Sequence, residues 1–298
     1  EVSINTINIR NKNFTWESNL NFAHNKNKIV ALADADYFTE RSGWSTVSEF
    51  NDDDYIIAVG QSMGQMYGYQ LDGKGIYMVE DFHWDNAANS GNGGYVLNGE
   101  GNSYDASIQP GYWKFKDTDG VKGITSDDKT VIGNATPDII GGFINNFTFK
   151  GFDLSIGLNF QIGGDVYNAN KMYFTKMNNK NRNSLANAAE RFTYIDGTGA
   201  NVFKDPEKLA ILNRNANYAS IEGSSNLAFH SGYVEDASFL RLNNVTFGYT
   251  FPKTWLKKAY ISNLRVYASA YNLFTITGYS GYDPEVNTKP NGGLTPGV

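Results

Sequence analysis

One short segment of the sequence has carboxylates at the spacing of a calcium-binding loop. It reads DTDGVKGI from Asp117 to Ile124, and Asp128 stands at the twelfth position. Calcium loops of this length use oxygen ligands at the first, third, fifth and twelfth positions and glycine at the sixth. Val121 and Lys122 occupy the fifth and sixth positions here. A polar turn is therefore expected, and no metal and no cofactor are predicted.

A second group of ionisable residues surrounds a histidine in the segment EDFHWD, from Glu80 to Asp85. Acids around His83 suggest either a metal site or a general base. The alternative is a solvated loop that holds one structural tryptophan. The other histidines, His24 and His230, lie far away in sequence, and no nucleophile motif accompanies any of the three. The sequence predicts that the protein is not an enzyme.

Four aromatic residues of the first long loop are candidates for ligand contact. Exposed aromatic rings stack on sugar rings or on peptide side chains. The alternative is that they pack the interior of the loop itself. The candidate ligand-binding residues are Trp44, Trp84, Tyr95 and Trp113.

The composition favours strands and turns. The chain has 298 residues, of which 14% are aromatic, and it contains 31 glycines but only 7 prolines. The net charge of −6 argues against nucleic acid as a partner, since phosphate binding needs a basic surface. No cysteine is present and no run of apolar residues is long enough for a transmembrane helix. The sequence predicts an all-β fold.

The clearest hairpin lies between Gly142 and Gly163. Large apolar residues occupy odd positions up to Phe149 and even positions from Phe152, with small polar residues between them. A two-residue turn at Lys150-Gly151 explains the switch. It predicts three cross-strand pairs on one face: Phe149 with Phe152, Phe147 with Leu154, and Phe143 with Leu158.

Two further hairpins follow from the same alternation. A turn at Asn11-Lys12 predicts that Ile9 pairs with Phe14 and Ile7 with Trp16. Near the end of the chain, apolar residues alternate from Val245 to Phe251 and again from Leu264 to Ala270. Pro252 ends the first of these strands, and a helical turn is expected over residues 254–258.

The strands are long and their connections are unequal. Each runs for about ten residues, enough to span a bilayer when tilted, whereas ordinary strands have about five or six. The turns are short, but residues 25–139 and 165–238 form long polar segments. Within them, strands are expected at 55–59 and 66–79 and a short helix at 185–192. This asymmetry indicates an outer-membrane barrel with long extracellular loops rather than a soluble sandwich.

Five segments resemble SusC/RagA-like TonB-dependent outer-membrane transporters, and they follow the family order along nearly the whole chain. They are VGQSMG…YGY (59–69), VIGNATP (131–137), GFDLS (151–155), FLRLNNVTFGY (239–249), and NLRVY…NLFT with YSGYDPE (263–285). The resemblance implies an antiparallel transmembrane β-barrel of about 22 strands with a plugged lumen. About six of those strands would lie in this chain, with short turns on the periplasmic side.

The resemblance also implies a function and partners. Such transporters import glycans or peptides across the outer membrane, with a SusD-like surface lipoprotein as a lid and TonB as the energy source. Residues 1–298 would form the C-terminal part of the barrel, and the plug and the closing strand are expected to lie outside the chain. The alternative is a soluble all-β carbohydrate-binding module.

Aromatic residues near the strand ends are candidates for an interfacial girdle that contacts membrane lipid. Their shared face with leucine and isoleucine favours lipid contact over the core of a soluble sheet. They are Phe14, Trp16, Phe149, Phe152, Phe251 and Phe274.

Overall fold

The structure is a computed structural model, and it describes residues 1–43, 52–99, 107–176, 181, 183–223, 228–285 and 295–297. The chain divides into two compact units. The sheet unit comprises Glu1–Lys28, Ala135–Val166 and Glu235–Val286. The loop unit comprises Ile29–Asn134, Tyr167–Val234 and Asn287–Val298.

Most regular structure in the described residues is strand. The strands are β1 (Val2–Arg10), β2 (Phe14–Ala23), β3 (Tyr37–Glu40), β4 (Tyr55–Ala58), β5 (Gln65–Gly68), β6 (Leu71–Ile76), β7 (Phe82–Asp85), β8 (Gly94–Leu97), β9 (Trp113–Phe115), β10 (Thr130–Asn134), β11 (Ile139–Phe149), β12 (Phe152–Ile162), β13 (Asp165–Tyr167), β14 (Val234–Asp236), β15 (Phe239–Thr250) and β16 (Arg265–Thr277).

Helices are few and short among these residues. The α-helical segments are α1 (Ala88–Gly91), α2 (Ala169–Thr175), α3 (Pro206–Asn213) and α4 (Lys253–Leu256). The 3-10 turns are Val79–Asp81, Ser126–Asp128, Ala186–Glu190, Ser231–Tyr233 and Lys257–Ala259. The predicted all-β antiparallel fold is confirmed.

The sheet unit is one six-stranded antiparallel sheet in the order β1-β2-β11-β12-β15-β16. Its central hairpin has the predicted register, with Phe149 opposite Phe152, Phe147 opposite Leu154 and Phe143 opposite Leu158. The turn places Lys150 at φ 47° and Gly151 at φ 91°. Positive φ at both positions is what a type I′ hairpin turn requires.

The predicted register of the first hairpin is wrong. Ile9 lies opposite Trp16, not Phe14, and a bulge follows between Ile7 and Ile9. The turn lies one residue later than predicted, at Lys12-Asn13, where the Asn11 N–H donates to the Phe14 carbonyl at 2.9 Å. The Asn11 side-chain oxygen supports this turn by accepting hydrogen bonds from the backbone N–H of Asn13 (3.0 Å) and of Phe14 (2.9 Å). The later turn moves the partner of Ile9 by two residues, and the bulge then brings Val2 and Ile4 to the same face as Ile9.

The third hairpin and its helical turn are confirmed. Strands β15 and β16 pair from Thr250 with Arg265 to Phe239 with Thr277. Between them, α4 begins directly after Pro252, and the N–H of Phe251 donates to the Leu264 carbonyl at 3.0 Å. Leu256 is buried and holds the turn in place.

The loop unit contains a four-stranded sheet, in the order β10-β5-β4-β3, and the two-stranded pairs β6–β9 and β7–β8. Strands occur where they were expected, since β4 falls inside residues 55–59, β6 falls inside 66–79, and β5 begins one residue before 66. The expected helix at 185–192 is a 3-10 turn over Ala186–Glu190. One core cluster packs Ile76, Phe192 and Leu209 together.

No helix among the described residues is both long and apolar enough to cross a membrane.

Candidate functional site

The sheet unit has one apolar face. Residues directly opposite each other on neighbouring strands point to the same side, so the register defines rows across the sheet. Three such rows are Phe14, Phe149, Phe152, Tyr249 and Val266; Trp16, Phe147, Leu154, Phe247 and Ala268; and Leu20, Phe143, Leu158, Leu242 and Phe274. Phe247 remains 51% exposed and Phe274 53%. An exposed apolar surface of this extent marks a contact with lipid or with a protein.

The candidate girdle residues fall on or beside this face. Phe14, Phe149 and Phe152 form part of one row near the turns, and Phe274 lies toward the other end of the strands. Phe251 follows β15, with its ring 5.0 Å from that of Tyr249. Their placement agrees with the girdle hypothesis, and their contact with lipid stays a prediction.

A polar cluster interrupts the apolar face at the middle of β11. The Asn145 side-chain oxygen accepts hydrogen bonds from Trp16 Nε1 at 2.9 Å and from the Ser18 hydroxyl at 2.7 Å. Asn8, in the β1 bulge, donates to the Ser18 hydroxyl at 2.6 Å. Asn145 is only 9% exposed, and the Trp16 ring stacks on Phe147 at 5.7 Å. These bonds tie β1, β2 and β11 together in one register.

The opposite face of the sheet unit is polar and carries paired charges. Arg241 of β15 forms ion pairs with Asp283 (2.5 Å) and Glu285 (2.6 Å) in the segment that follows β16. Its Nε also donates to the Thr275 hydroxyl at 3.1 Å. Arg241 is largely buried, with 13% of its side chain exposed. These contacts hold the YSGYDPE segment against the polar face.

A depression of about 840 Å³ lies on this polar face, and sequence reasoning missed it. Gly142 lines it, and an added Cβ there would lie 2.9 Å from the Asn21 side-chain oxygen and 3.7 Å from that of Asn159. Gln161 and Glu285 also line it. The alternating pattern indicated a polar face, but only the pairing of β2, β11 and β12 shows which amides surround the glycine.

Two of the four candidate ligand residues lie together in the loop unit. The rings of Trp84 and Tyr95 meet edge to face at 5.1 Å, and both contact Phe203. The Tyr95 hydroxyl donates to the Phe203 carbonyl at 2.9 Å. Burial, helped by nearby Asp205, raises the pKa of Tyr95 to about 12. Both rings are half-buried, so each keeps part of its surface open.

Trp113 belongs to a different aromatic group. Its ring centroid lies 4.5 Å from that of His230 and 6.0 Å from that of Tyr233. His230 is buried, and burial lowers its pKa to about 3. The fourth candidate, Trp44, lies outside the described residues. The structure therefore brings Trp84 and Tyr95 together and leaves Trp113 in a packed cluster.

The acids around His83 do not converge on it. Asp81 pairs with Lys114 at 3.0 Å, and Asp85 accepts from the N–H of Ala87 at 2.8 Å. His83 is exposed and its Nδ1 lies 2.9 Å from the Asn98 side-chain oxygen. Lys114 lies in a groove of about 440 Å³ that Asp81 and Asn98 also line. The geometry favours an ordinary solvated loop over a metal site or a general base.

In the calcium-like loop, one carboxylate oxygen from each of Asp117, Asp119 and Asp128 lies within 4.8 Å of the other two. Asp128 is buried, and its two carboxylate oxygens accept from the N–H of Thr118 and of Thr125, both at 2.8 Å. Burial raises the pKa of Asp128, but these backbone bonds outweigh it and leave the pKa below its ordinary value. The carboxylate already has hydrogen-bond partners inside the protein, which agrees with a polar turn.

Comparison with known proteins finds relatives over the full length of the chain. It is 33% identical over 323 aligned residues to TonB-dependent receptor P39 of Formosa agariphila, covering 100% of this chain and 28% of that protein. It is 31% identical to TonB-dependent receptor P3 of the same organism, and the alignment covers 97% of this chain and 25% of that protein. It is 26% identical to TonB-dependent receptor SusC of Bacteroides thetaiotaomicron, and the alignment covers 97% of this chain and 24% of that protein. No family model matches.

Solved structures share the fold. The RagAB peptide transporter aligns with a TM-score of 0.61 at 20% identity, covering 95% of this chain and 26% of that one. The RagAB peptide importer in its open-open state aligns with a TM-score of 0.62 at 20% identity, and the alignment covers 98% of this chain and 26% of that one. The chain spans about a quarter of the length of the proteins it matches.

The fold and its two unlike faces define an antiparallel all-β protein of the kind that builds barrel walls, here as an open six-stranded sheet. The chain is related along its length to the TonB-dependent receptors, SusC among them, so the resemblance expected from the motifs is confirmed. These relatives are receptors, and the structural neighbours are transporters. The names of these similar proteins agree with the prediction that the chain is not an enzyme.

Proposed function

We propose that this chain forms part of the wall and outer loops of a nutrient transporter in the outer membrane. The observation that carries the proposal is the sheet unit, whose long strands have an exposed apolar face and a polar face. Alternation of lipid-facing and lumen-facing residues is the pattern of transmembrane β-barrels. In the alternative, a soluble carbohydrate-binding module, the rows of exposed phenylalanine would face water at a large free-energy cost.

Energy coupling and partners follow by analogy with the relatives. TonB would supply energy, and a SusD-like surface lipoprotein would cover the barrel and help to capture glycans or peptides. Residues 1–298 would form the C-terminal part of the barrel, with the plug and the closing strand supplied by other parts of the parent polypeptide. The short turns would face the periplasm and the long connections the exterior.

Two substitutions on adjacent residues of β12 test the membrane assignment in the full-length parent protein. Ile156 lies on the apolar face and Ser155 on the polar face. A lipid-facing arginine at mid-membrane costs about 2–4 kcal/mol, whereas a lumen-facing one costs little. We therefore expect Ile156→Arg to lower the amount of protein assembled in the outer membrane, while Ser155→Arg assembles normally.

Fractionation of cells that produce the full-length protein tests the soluble-module alternative. If the full-length protein were soluble without detergent, and the two arginine variants behaved alike, the soluble-module alternative would replace the transporter.

We further propose that Trp44, Trp84, Tyr95 and Trp113 contribute to ligand contact. Support comes from the half-buried rings of Trp84 and Tyr95, whose mutual packing fixes their orientation. Binding of an oligosaccharide panel and of a casein digest by the parent protein would be compared with that of its Trp84→Ala variant. Weaker retention of one ligand class by the variant supports the contact, and equal retention of both classes contradicts it.

A further inference from the structure

The two ends of the sheet unit carry opposite charge. The turn rim, defined here as residues 10–17, 149–153 and 250–265, holds seven basic and two acidic residues. They are Arg10, Lys12, Lys150, Lys253, Lys257, Lys258 and Arg265, with Glu17 and Asp153. The rest of the unit carries three basic residues and seven acids, which are Lys26, Lys28 and Arg241, with Glu1, Asp138, Asp165, Glu235, Asp236, Asp283 and Glu285.

The two acids of the turn rim are each paired with an arginine. Arg10 contacts Glu17 at 2.8 Å, and Arg265 contacts Asp153 at 2.5 Å. The remaining charge of the rim comes from five lysines. In a chain of net charge −6, this concentration of positive charge at one edge requires a specific explanation.

Three of these lysines lie in the connection between β15 and β16. Lys253, Lys257 and Lys258 are all exposed. Lys253 and Lys257 are four residues apart across α4 and the 3-10 turn, a spacing that places side chains on one helical face. The buried Leu256 anchors the connection, and the three lysine side chains around it are open to their surroundings.

Exposed aromatic rings accompany the lysines. Trp255 is 65% exposed and Tyr260 is 99% exposed. A chain of ring contacts connects this segment with the apolar face. It runs from Trp255 to Phe251 (6.4 Å), from Phe251 to Tyr249 (5.0 Å) and from Tyr249 to Phe152 (4.5 Å). The lysine-rich connection is thus continuous with the surface assigned to lipid.

We propose that the turn rim binds the phosphate groups of anionic phospholipids in the leaflet at this end of the sheet. The inference rests on the proposed function, because it needs the apolar face to lie in a bilayer. Tryptophan and tyrosine favour the headgroup level, where an apolar ring meets a wet edge. Lysines beside them meet phosphates at the same depth, and each lysine near an anionic surface strengthens binding about fivefold.

The test uses the full-length parent protein inserted into vesicles of phosphatidylcholine with a minor fraction of phosphatidylglycerol. After mild detergent extraction, the phosphatidylglycerol that remains bound to the protein is quantified by mass spectrometry. The variant is K257Q/K258Q. The matched control is K26Q/K28Q, which also removes two exposed lysines, from the opposite end of the sheet unit.

We expect K257Q/K258Q to retain roughly 25-fold less phosphatidylglycerol, as the loss of two lysine contributions of about fivefold each predicts. K26Q/K28Q should match the unmodified protein. Equal retention by all three proteins, or an equal loss in both variants, overturns the proposal.

Insertion is scored separately, by resistance of the protein to carbonate extraction from the vesicles. If the unmodified protein fails to insert, the proposed function fails. If it inserts but shows no preference for phosphatidylglycerol, only the turn-rim proposal fails.

Discussion

Arg241 and Asp283 join two motif segments that are 42 residues apart in sequence. The Arg241 Nη2 lies 2.5 Å from the Asp283 Oδ1, and Nη1 of the same side chain contacts Glu285 at 2.6 Å. Charge-assisted pairs of this geometry are stronger than neutral hydrogen bonds. A residue of β15 therefore determines where the chain goes after β16.

Replacing Arg241 with methionine should release the segment that follows β16. Both acids are partly exposed. We therefore expect the local free energy of unfolding to fall by about 1 kcal/mol, which is less than the cost of breaking a fully buried pair. Amide hydrogen exchange in the parent protein should become roughly fivefold faster over residues 278–285. Arg10→Met, which breaks the exposed pair with Glu17, serves as the control. Unchanged exchange in the Arg241 variant would show that other contacts hold the segment.

Asn145→Ala should destabilise the sheet unit. The substitution removes the acceptor for Trp16 Nε1 and the Ser18 hydroxyl, and unsatisfied buried donors cost about 1–3 kcal/mol. The measurement is the urea midpoint of the detergent-solubilised parent protein. Asn146→Ala is the matched control, since the neighbouring asparagine is exposed on the polar face and should shift the midpoint little. A similar shift for both variants contradicts a special role for Asn145.

Calcium should not order the loop from Asp117 to Asp128. Both oxygens of the Asp128 carboxylate already accept backbone hydrogen bonds, and the fifth loop position carries no carboxylate. Hydrogen exchange over residues 117–128 should be the same in EDTA and in calcium. The double variant V121D/K122G restores the missing ligand and the turn glycine, and it should gain calcium-dependent protection. Protection of the unmodified loop by calcium would overturn this prediction.

The region around His230 should lose stability in acid. Burial lowers the pKa of this imidazole from 6.5 to about 3, so between these values the unfolded chain binds a proton that the folded chain does not. The local free energy of unfolding is then highest above pH 6.5 and falls as the pH drops toward 3. The slope is at most about 1.4 kcal/mol per pH unit.

Hydrogen exchange of residues 228–234, measured between pH 7 and 4 and corrected for the intrinsic rate, tests this dependence. His230→Phe should flatten it, although the variant also loses the bond from the Gly232 N–H to the His230 Nδ1 (3.2 Å). His83→Phe should leave the slope unchanged because His83 is exposed. An unmodified protein with no slope would mean that His230 is not buried in solution.

Several features of this fold could be predicted from sequence because they depend on local periodicity. Alternation of apolar and polar residues identified the strands of the six-stranded sheet and their two faces. The two-residue turn at Lys150-Gly151 determined the register of its hairpin, because a turn this tight allows only one pairing of the two strands. The predicted register of the first hairpin was wrong because hydrogen bonds to the Asn11 side-chain oxygen favour a turn one residue later, and a bulge follows in β1.

Contacts between distant segments were decided only by the tertiary structure. The sequence placed Asn145 at a position where an apolar residue was expected, but not the donors Trp16 and Ser18 that satisfy it. It placed Trp84, Tyr95 and Trp113 in one loop without separating them into two aromatic clusters. Periodicity is encoded in each strand and can be read locally, whereas burial and ion pairing depend on which strands become neighbours. The family resemblance could therefore be recognised from the sequence alone, whereas the turn rim, the Arg241 pair and the depression beside Gly142 depend on how the strands are assembled.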